Sequence, residues 1–331
     1  ERVLPKIKEL SEEITQEVLG VYKFFDGEPD IADLNKKIKR KGKTATIKSH
    51  LKTGIARSYN KGKGKIDKSV LGVSGGAYRQ SAVELNFILS SVIDRDIPLP
   101  NKSQYFNAQL ADVGGLKITE RQGLNTRKEF DRLVRLIFSG IQDGQSPAQM
   151  AKTVQQAFNL TQSNALRIVR TESARMMNAG SYDQTVEARK LGIKTRRKII
   201  STLDDRTRPQ SAAVDGLLET LTEDGEGYFE YQGKTAKYPG DWDVAAWDIN
   251  DREDTIDILL DENDQPLFEE SQTRSARDIK VGPNGNPIVG RTKNGKPIEA
   301  KSIDVKYTDF QQWAKDRGLV KNRYGQVLFP E

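Results

Sequence analysis

Cysteine is absent from the 331 residues and histidine occurs once, as His50. Without thiols there are no disulfides, no thiolate zinc sites and no cysteine nucleophile. A lone imidazole between Lys48 and Lys52 is poorly placed for a Ser-His-Asp triad and reads as part of a basic segment. Long apolar runs are also missing. The longest stretches, such as Val83 to Val92, are broken by polar residues and fall short of the roughly 20 that a membrane span needs. The expectation is a soluble protein with no membrane partner. The start at Glu1, with neither an initiator Met nor an apolar leader, reads as a processed, trimmed or partly ordered product. Hydrophobic residues make up 36% and charged residues 30%, which predicts a thin core and much surface, loop or extended arm. The length fits one large or two ordinary domains.

Charge is present in abundance and is unevenly placed. The net +6 conceals a segment 36–68 with thirteen basic side chains and one acid, Asp67, and a segment 204–270 with a net charge of −15. The cations are Lys36, Lys37, Lys39, Arg40, Lys41, Lys43, Lys48, Lys52, Arg57, Lys61, Lys63, Lys65 and Lys68. Such density suits phosphate neutralisation with counterion release, giving salt-sensitive binding to double-stranded DNA without base readout. The glycines of this stretch suggest a flexible arm; the alternative is a solvated basic loop with no ligand. No helix-turn-helix, zinc-finger or aromatic RNA-binding signature is present. The acidic block is open to three uses, repelling DNA, docking on a basic partner, or folding back over the chain's own cations, with a solvated acidic face as the equal alternative.

The fold class expected is α+β, with a helical N-terminal region (1–126) bearing the basic arm, a helix-plus-hairpin central domain (127–262) and a hairpin-rich extension with a terminal helix (263–331). Ser11 is an N-cap candidate, with Ile14, Val18, Leu19 and Tyr22 on one face. A helix is predicted over Ala82 to Ile93, and Asn101 to Thr126 has no clear reading. Apolar spacing predicts a helix from Arg127, a second from the capping box Ser146-Pro147-Ala148-Gln149 to about Phe158, and a third after Thr161 that Gly192 ends. Beyond Lys194 come short strands: Lys198 to Leu203, Val214 to Leu217, Tyr228 to Tyr231 and Thr235 to Tyr238. Gly282 to Gly285 and Lys293 to Lys296 read as turns, and Thr308-Asp309-Phe310-Gln311 opens a last helix stopped by Gly318. Arg196-Arg197-Lys198 reads as a solvated strand edge, with a phosphate contact as the alternative; Trp242 and Trp247 read as core anchors or partner contacts.

Two stretches carry an unusual signature. Arg170-Thr171-Glu172 with Arg175 and Asn178 places three polar groups at helical spacing. Asp204-Asp205-Arg206-Thr207-Arg208-Pro209, followed by Asp215-Gly216, sets carboxylates at a turn and leaves arginines to pair with Glu172 or an external anion. With Gly192, Pro239-Gly240 and Asn250-x-Arg252, these resemble the head-morphogenesis or minor head proteins of tailed bacteriophages, typified by phage Mu F-like proteins, over roughly residues 130–260. The family's His after the Asp turn is here Ser211, its Asn-Cys-Arg-Cys tetrapeptide is Asn250-Asp251-Arg252-Glu253, and a tryptophan before the turn is Ile199. The resemblance thus implies a metal site lost as a unit, with no metal and no cofactor, and a fold left to packing and to a structural network of Arg170, Glu172, Arg175, Asp204, Arg206, Arg208 and Asp215.

The resemblance further implies a non-enzymatic virion component, in the capsid interior near the portal and in host cytoplasm during assembly. Its implied partners are DNA and the portal protein, with the major capsid or scaffolding protein as further candidates, in head assembly, packaging or genome delivery. Two enzyme readings stand beside it. Asp204, Asp205 and Asp215, or Asp251, Glu253, Asp254 and Asp257, are carboxylate groups from which a Mg²⁺-dependent nuclease could be built. Arg170-Thr171-Glu172 also invites comparison with mono-ADP-ribosyl transfer, although no nicotinamide-site sequence accompanies it.

Overall fold

The computed structural model describes residues 3–24, 44–93, 95–111, 130–137, 139, 147–267 and 273–329. The protein is α+β: helices fill the N-terminal part and strands begin at Thr195. The chain divides into two compact units, one of Glu1–Ser74 with Leu116–Arg170, the other of Gly75–Gly115 with Thr171–Glu331. The division falls within two long helices, α2 (Thr44–Ile93) and α4 (Pro147–Lys190).

In the first unit, α1 (Val3–Phe24) turns Ile7, Leu10 and Ile14 to one side at helical spacing. They pack with Ile55 and Val70 of α2, Leu133 and Ile137 of the helical stretch 130–137, and Met150, Val154 and Ala157 of α4. Ser11 lies inside α1 and does not cap it. The expected arm is likewise corrected over its described part: residues 44–68 are the first half of α2. The physical reason is visible at Gly62, where a Cβ would lie 2.7 Å from Leu10 Cδ1, so that this glycine serves close helix contact. The expected break between Phe158 and Thr161 is absent too, because α4 is one helix of 44 residues. It starts at Pro147 and ends as expected at Gly192, whose φ is +83°.

In the second unit, the Ala82–Ile93 stretch belongs to α2, and α3 (Lys102–Leu110) follows a capping box made by Asn101 and Gln104. Met176, Ala179, Tyr182 and Val186 of α4 form a core with Tyr78, Ala108 and Tyr238. Strand β1 (Thr195–Ile200) pairs antiparallel with β5 (Asp254–Leu259), from Thr195 opposite Leu259 to Ile200 opposite Asp254. Between them lie α5 (Pro209–Val214), the three-stranded β2 (Thr220–Leu221), β3 (Gly227–Tyr231), β4 (Lys234–Ala236), and α6 (Ala245–Asp248). The predicted strand Val214 to Leu217 is instead the end of α5 and a turn at Gly216, φ +85°. Trp242 is buried with Ile199, Val214, Phe229 and Ala236.

The remaining elements are β6 (Thr273–Arg277), β7 (Lys280–Val281), β8 (Pro287–Ile288), β9 (Ser302–Lys306) and α7 (Phe310–Asp316). Asp309 caps α7 by accepting from Gln312 N, one residue later than the predicted cap. Phe310, Trp313 and Ala314 pack with Ala276, Leu319 and Leu328, and also with Leu203 and Ala212. The last sixty residues therefore share one core with the Asp turn.

Candidate functional site

The turn between β1 and α5 is built from its own sequence. Asp204 Oδ1 accepts Arg206 N at 2.8 Å, closing an Asx turn, and Pro209 starts α5 where no N–H is required. Asp204 is almost fully buried, and Arg252 grips it with two hydrogen bonds of 2.6 and 2.9 Å while Arg206 adds a third at 3.1 Å. Burial pushes its carboxyl up, but the Arg252 hydrogen bonds and charge, with the Arg206 contacts, outweigh this and hold it below the ordinary value. Asp205 is held by Arg323 at 2.8 and 3.0 Å. Asp215 takes two bonds from Arg274, at 2.6 and 2.8 Å, and also accepts the backbone N–H of Ser201 and Phe310. Each acid of the turn thus has its own arginine. Two of those arginines come from the C-terminal sixty residues.

Arg208 is equally committed, donating to the carbonyls of Ala246 (2.6 Å), Trp247 (2.7 Å) and Ile249 (3.1 Å), with Asp251 Oδ1 farther at 3.4 Å. On α4, Glu172 pairs with Arg175 at 3.1 Å, both side chains 1% exposed, and Arg175 also donates to Ala108 O at 2.6 Å. Asn178 donates to the carbonyls of Pro239 and Glu253, both at 3.1 Å, and Thr171 Oγ1 accepts Asn250 N at 3.0 Å. Of the predicted network, Glu172 with Arg175 and Asp204 with Arg206 meet, whereas Arg208 and Asp215 take other partners. Arg170 is exposed on α4. The arginines of the turn pair with acids and carbonyls of their own unit, and neither Arg206 nor Arg208 is bonded to Glu172.

Sequence reasoning missed the second cluster. Arg197, read as a solvated edge, is fully buried: alternation along β1 turns it inward onto Glu219, with Nε to Oε2 at 2.8 Å, and its guanidinium lies 4.5 Å from the Tyr182 ring centroid. Glu219 also pairs with Arg189 and accepts Arg197 N at 2.6 Å. The period-two pattern of Thr195, Arg197 and Ile199 was the available signal.

The positions to which the resemblance assigns the lost metal ligands, Ser211, Asp251 and Glu253, come together. Burial drives the Asp251 carboxyl well above its ordinary value and raises that of Glu253; each is further affected by the other, by Arg208 and, at Glu253, by Ser211. Asp251 Oδ2 and Glu253 Oε1 are buried with no hydrogen-bond donor. One cation, already bonded to three carbonyls, faces two buried acids, which disfavours ionisation of both together. This set does not fit a metal knot: its donors are one hydroxyl and two carboxyls beside a guanidinium, and no group of three metal-ligating side chains occurs among the described residues. The adjoining cavity, lined by Ser201, Thr207, Arg208, Ser211, Asn250 and Glu253, has about 10 Å³, room for about one water. The nuclease reading meets the same geometry, since Asp204, Asp205 and Asp215 are separately locked to arginines.

Of the basic segment, Lys36, Lys37, Lys39, Arg40, Lys41 and Lys43 lie outside the described residues, and Lys48, Lys52 and Lys63 fall within α2. Lys61 meets Glu13 at 3.3 Å and Lys65 pairs with Glu9, both acids on α1; Arg57 and Lys68 are exposed. No helix among the described residues is long and apolar enough to cross a membrane.

Residues 131–229 match the family model described as Phage Mu protein F like protein. That span contains Glu172, Arg175 and the Asp turn, and ends before Asn250–Glu253. The chain is also similar to NAD(+)--arginine ADP-ribosyltransferase EFV of Enterococcus faecalis (strain ATCC 700802 / V583), at 28% identity over 197 residues. The similarity covers 59% of this chain and 40% of that protein, so the chain spans well under half the length of this curated relative. No solved structure matches the chain.

Proposed function

We propose that this chain, Mu F-like over residues 131–229, is a minor head protein of a tailed phage that lies in the virion near the portal and holds packaged DNA through the basic segment 36–68. The observation that carries the reading is the coincidence of the family match with a set of buried acids each committed to a structural bond. Asp204, Asp205, Asp215 and Glu219 hold arginines that tie the turn to strands and to the C-terminal segment, so these carboxylates serve the framework of a protein that acts by docking. The basic segment supplies the sequence-independent term of DNA binding. Portal protein is the partner proposed for docking, in packaging or delivery.

The test is retardation of supercoiled plasmid at low and moderate salt, with and without Mg²⁺. Salt-sensitive retardation without nicking is expected, and it should weaken when Lys36, Lys37, Lys39, Arg40, Lys41 and Lys43 are replaced by Gln. Substitution is preferable to deleting 36–68, because Ile55 belongs to a core. Mg²⁺-dependent nicking would overturn the reading. A second reading, ADP-ribosyl transfer to arginine, is favoured by the similarity to the Enterococcus protein. Transfer of label from NAD⁺ to an arginine-rich acceptor by the purified chain would establish it.

A further inference from the structure

Residues 290–301 form a basic hairpin held by its own backbone. Ile298 N donates to Gly290 O at 2.7 Å, Thr292 N to Lys296 O at 2.8 Å and Gly295 N to Thr292 O at 2.9 Å. Every residue from Arg291 to Glu299 is exposed. Arg291 stands at the base and donates to Gly295 O at 2.9 Å, while Lys293 and Lys296 flank the Asn294-Gly295 tip. Lys280, Lys293, Lys296 and Lys301 have no ion pair among the described residues. The one acid of 280–301, Glu299, faces the framework arginines Arg323 at 3.2 Å and Arg206 at 3.6 Å.

The hairpin therefore collects cations that the fold does not neutralise, although the neighbouring segment 204–270 is the most acidic of the chain. Of those acids, Asp204, Asp205, Asp215 and Glu219 are buried against arginines, whereas Glu223, Glu230 and Glu262 are exposed and form no ion pair with the hairpin's cations among the described residues. Like charges gathered on one small hairpin repel, and a polyanion relieves that repulsion. Ammonium groups on flexible stems act as point charges, which suits a track of phosphates better than a shaped carboxylate pocket. No aromatic residue lies on 290–301 to stack on bases, so the contact carries no sequence preference.

We propose that hairpin 290–301 is a second nucleic-acid contact, in which Arg291, Lys293 and Lys296 hold phosphates of double-stranded DNA. It rests on the reading of this chain as a genome-associated head protein, and it is separate in sequence from the segment 36–68.

The experiment compares the full chain with its Arg291→Gln, Lys293→Gln, Lys296→Gln variant, binding a labelled duplex across a salt series. At about 0.9 per phosphate lost, the slope of log affinity against log salt should fall in magnitude by about 2–3, with melting unchanged. An unchanged slope and affinity would overturn the hairpin contact. A hairpin loss with no loss on replacing the cations of 36–43 would leave the hairpin standing and remove the basic segment from the reading. A wild-type chain that retains no duplex at low salt would overturn both. Loss of binding to poly-glutamate while duplex binding is kept would also overturn the proposal, in favour of an acidic protein partner.

Discussion

Asp251 and Glu253 show how a single pair of residues makes stability depend on pH. A buried carboxyl whose folded value is raised contributes stability at pH below its unfolded value, and that contribution is lost as pH rises through the folded value. Burial raises Asp248 and Asp257 to about 6 against the ordinary 3.8, and lifts Asp251 well above the ordinary value. Asp204 works in the opposite sense, its contribution being lost only in acid below the ordinary value. Melting temperature should therefore rise as pH falls from 8 toward 5. Asp251→Asn should raise stability at pH 8 by about 1–2 kcal/mol and flatten the profile, because the amide donates to Glu253 where the native pair needs a proton. Thermal denaturation at pH 5 and pH 8 checks this; a variant less stable at both would show that Asp251 is ionised.

At the scale of elements, one turn is used five times among the described residues of the second unit. Residues 222–226, 261–265, 282–286, 292–296 and 322–326 each have the first N–H bonded to the fifth carbonyl and the fourth N–H bonded to the first carbonyl. The fourth residue is left-handed in all five: Gly225, Asp264, Gly285, Gly295 and Gly325, with φ from +59° to +80°. This is a tight turn followed by a bulge, which explains the Asn-Gly and Asp-Gly pairs. Sequence inspection found two of these turns near their observed positions, but irregular spacing hid the repetition. Glycine has a different use where helices approach. A Cβ on Gly180 would run into the Tyr78 carbonyl, whereas one on Gly64 meets nothing within 4 Å. Gly180→Ala should cost at least about 3 kcal/mol, since backbone must move, and Gly64→Ala should gain about 0.5–1 kcal/mol of helix stability. Urea denaturation of the two variants separates the roles.

On the scale of the whole chain, the buried acids of the turn find their arginines inside their own unit. Asp205 and Asp215 bind Arg323 and Arg274 from the C-terminal segment, and Leu203 and Ala212 share a core with Phe310 and Trp313. A chain ended after residue 267 would expose that core and leave Asp205 and Asp215 buried without counter-charge, a loss of several kcal/mol. Such a truncation should be insoluble or lack a cooperative melt. A soluble product with the same transition as the full chain would mean that the C-terminal segment is an accessory.

The amino-acid order by itself determined where local rules suffice. Gly192 ends α4, Pro147 opens it, and Gln232-Gly233 turns β3 into β4, because left-handed backbone and a missing N–H are properties of single residues. Glu172 with Arg175, three apart on one helix, and Asp204 with Arg206, two apart in an Asx turn, are likewise local pairs. Tertiary structure decided what depends on distant partners. That α2 is helix rather than open arm around Ile55 and Gly62 accords with their packing against α1, since its own sequence is weakly amphipathic and basic. Which arginine serves which carboxylate was equally out of reach: residues 204 and 252, 205 and 323, or 215 and 274 meet only after folding, and charge has no range along a chain that says where it will close. Arg197 was misread in part for the same reason: alternation along β1 marks it as sharing a face with Thr195 and Ile199, but its partner Glu219 is reached only after folding.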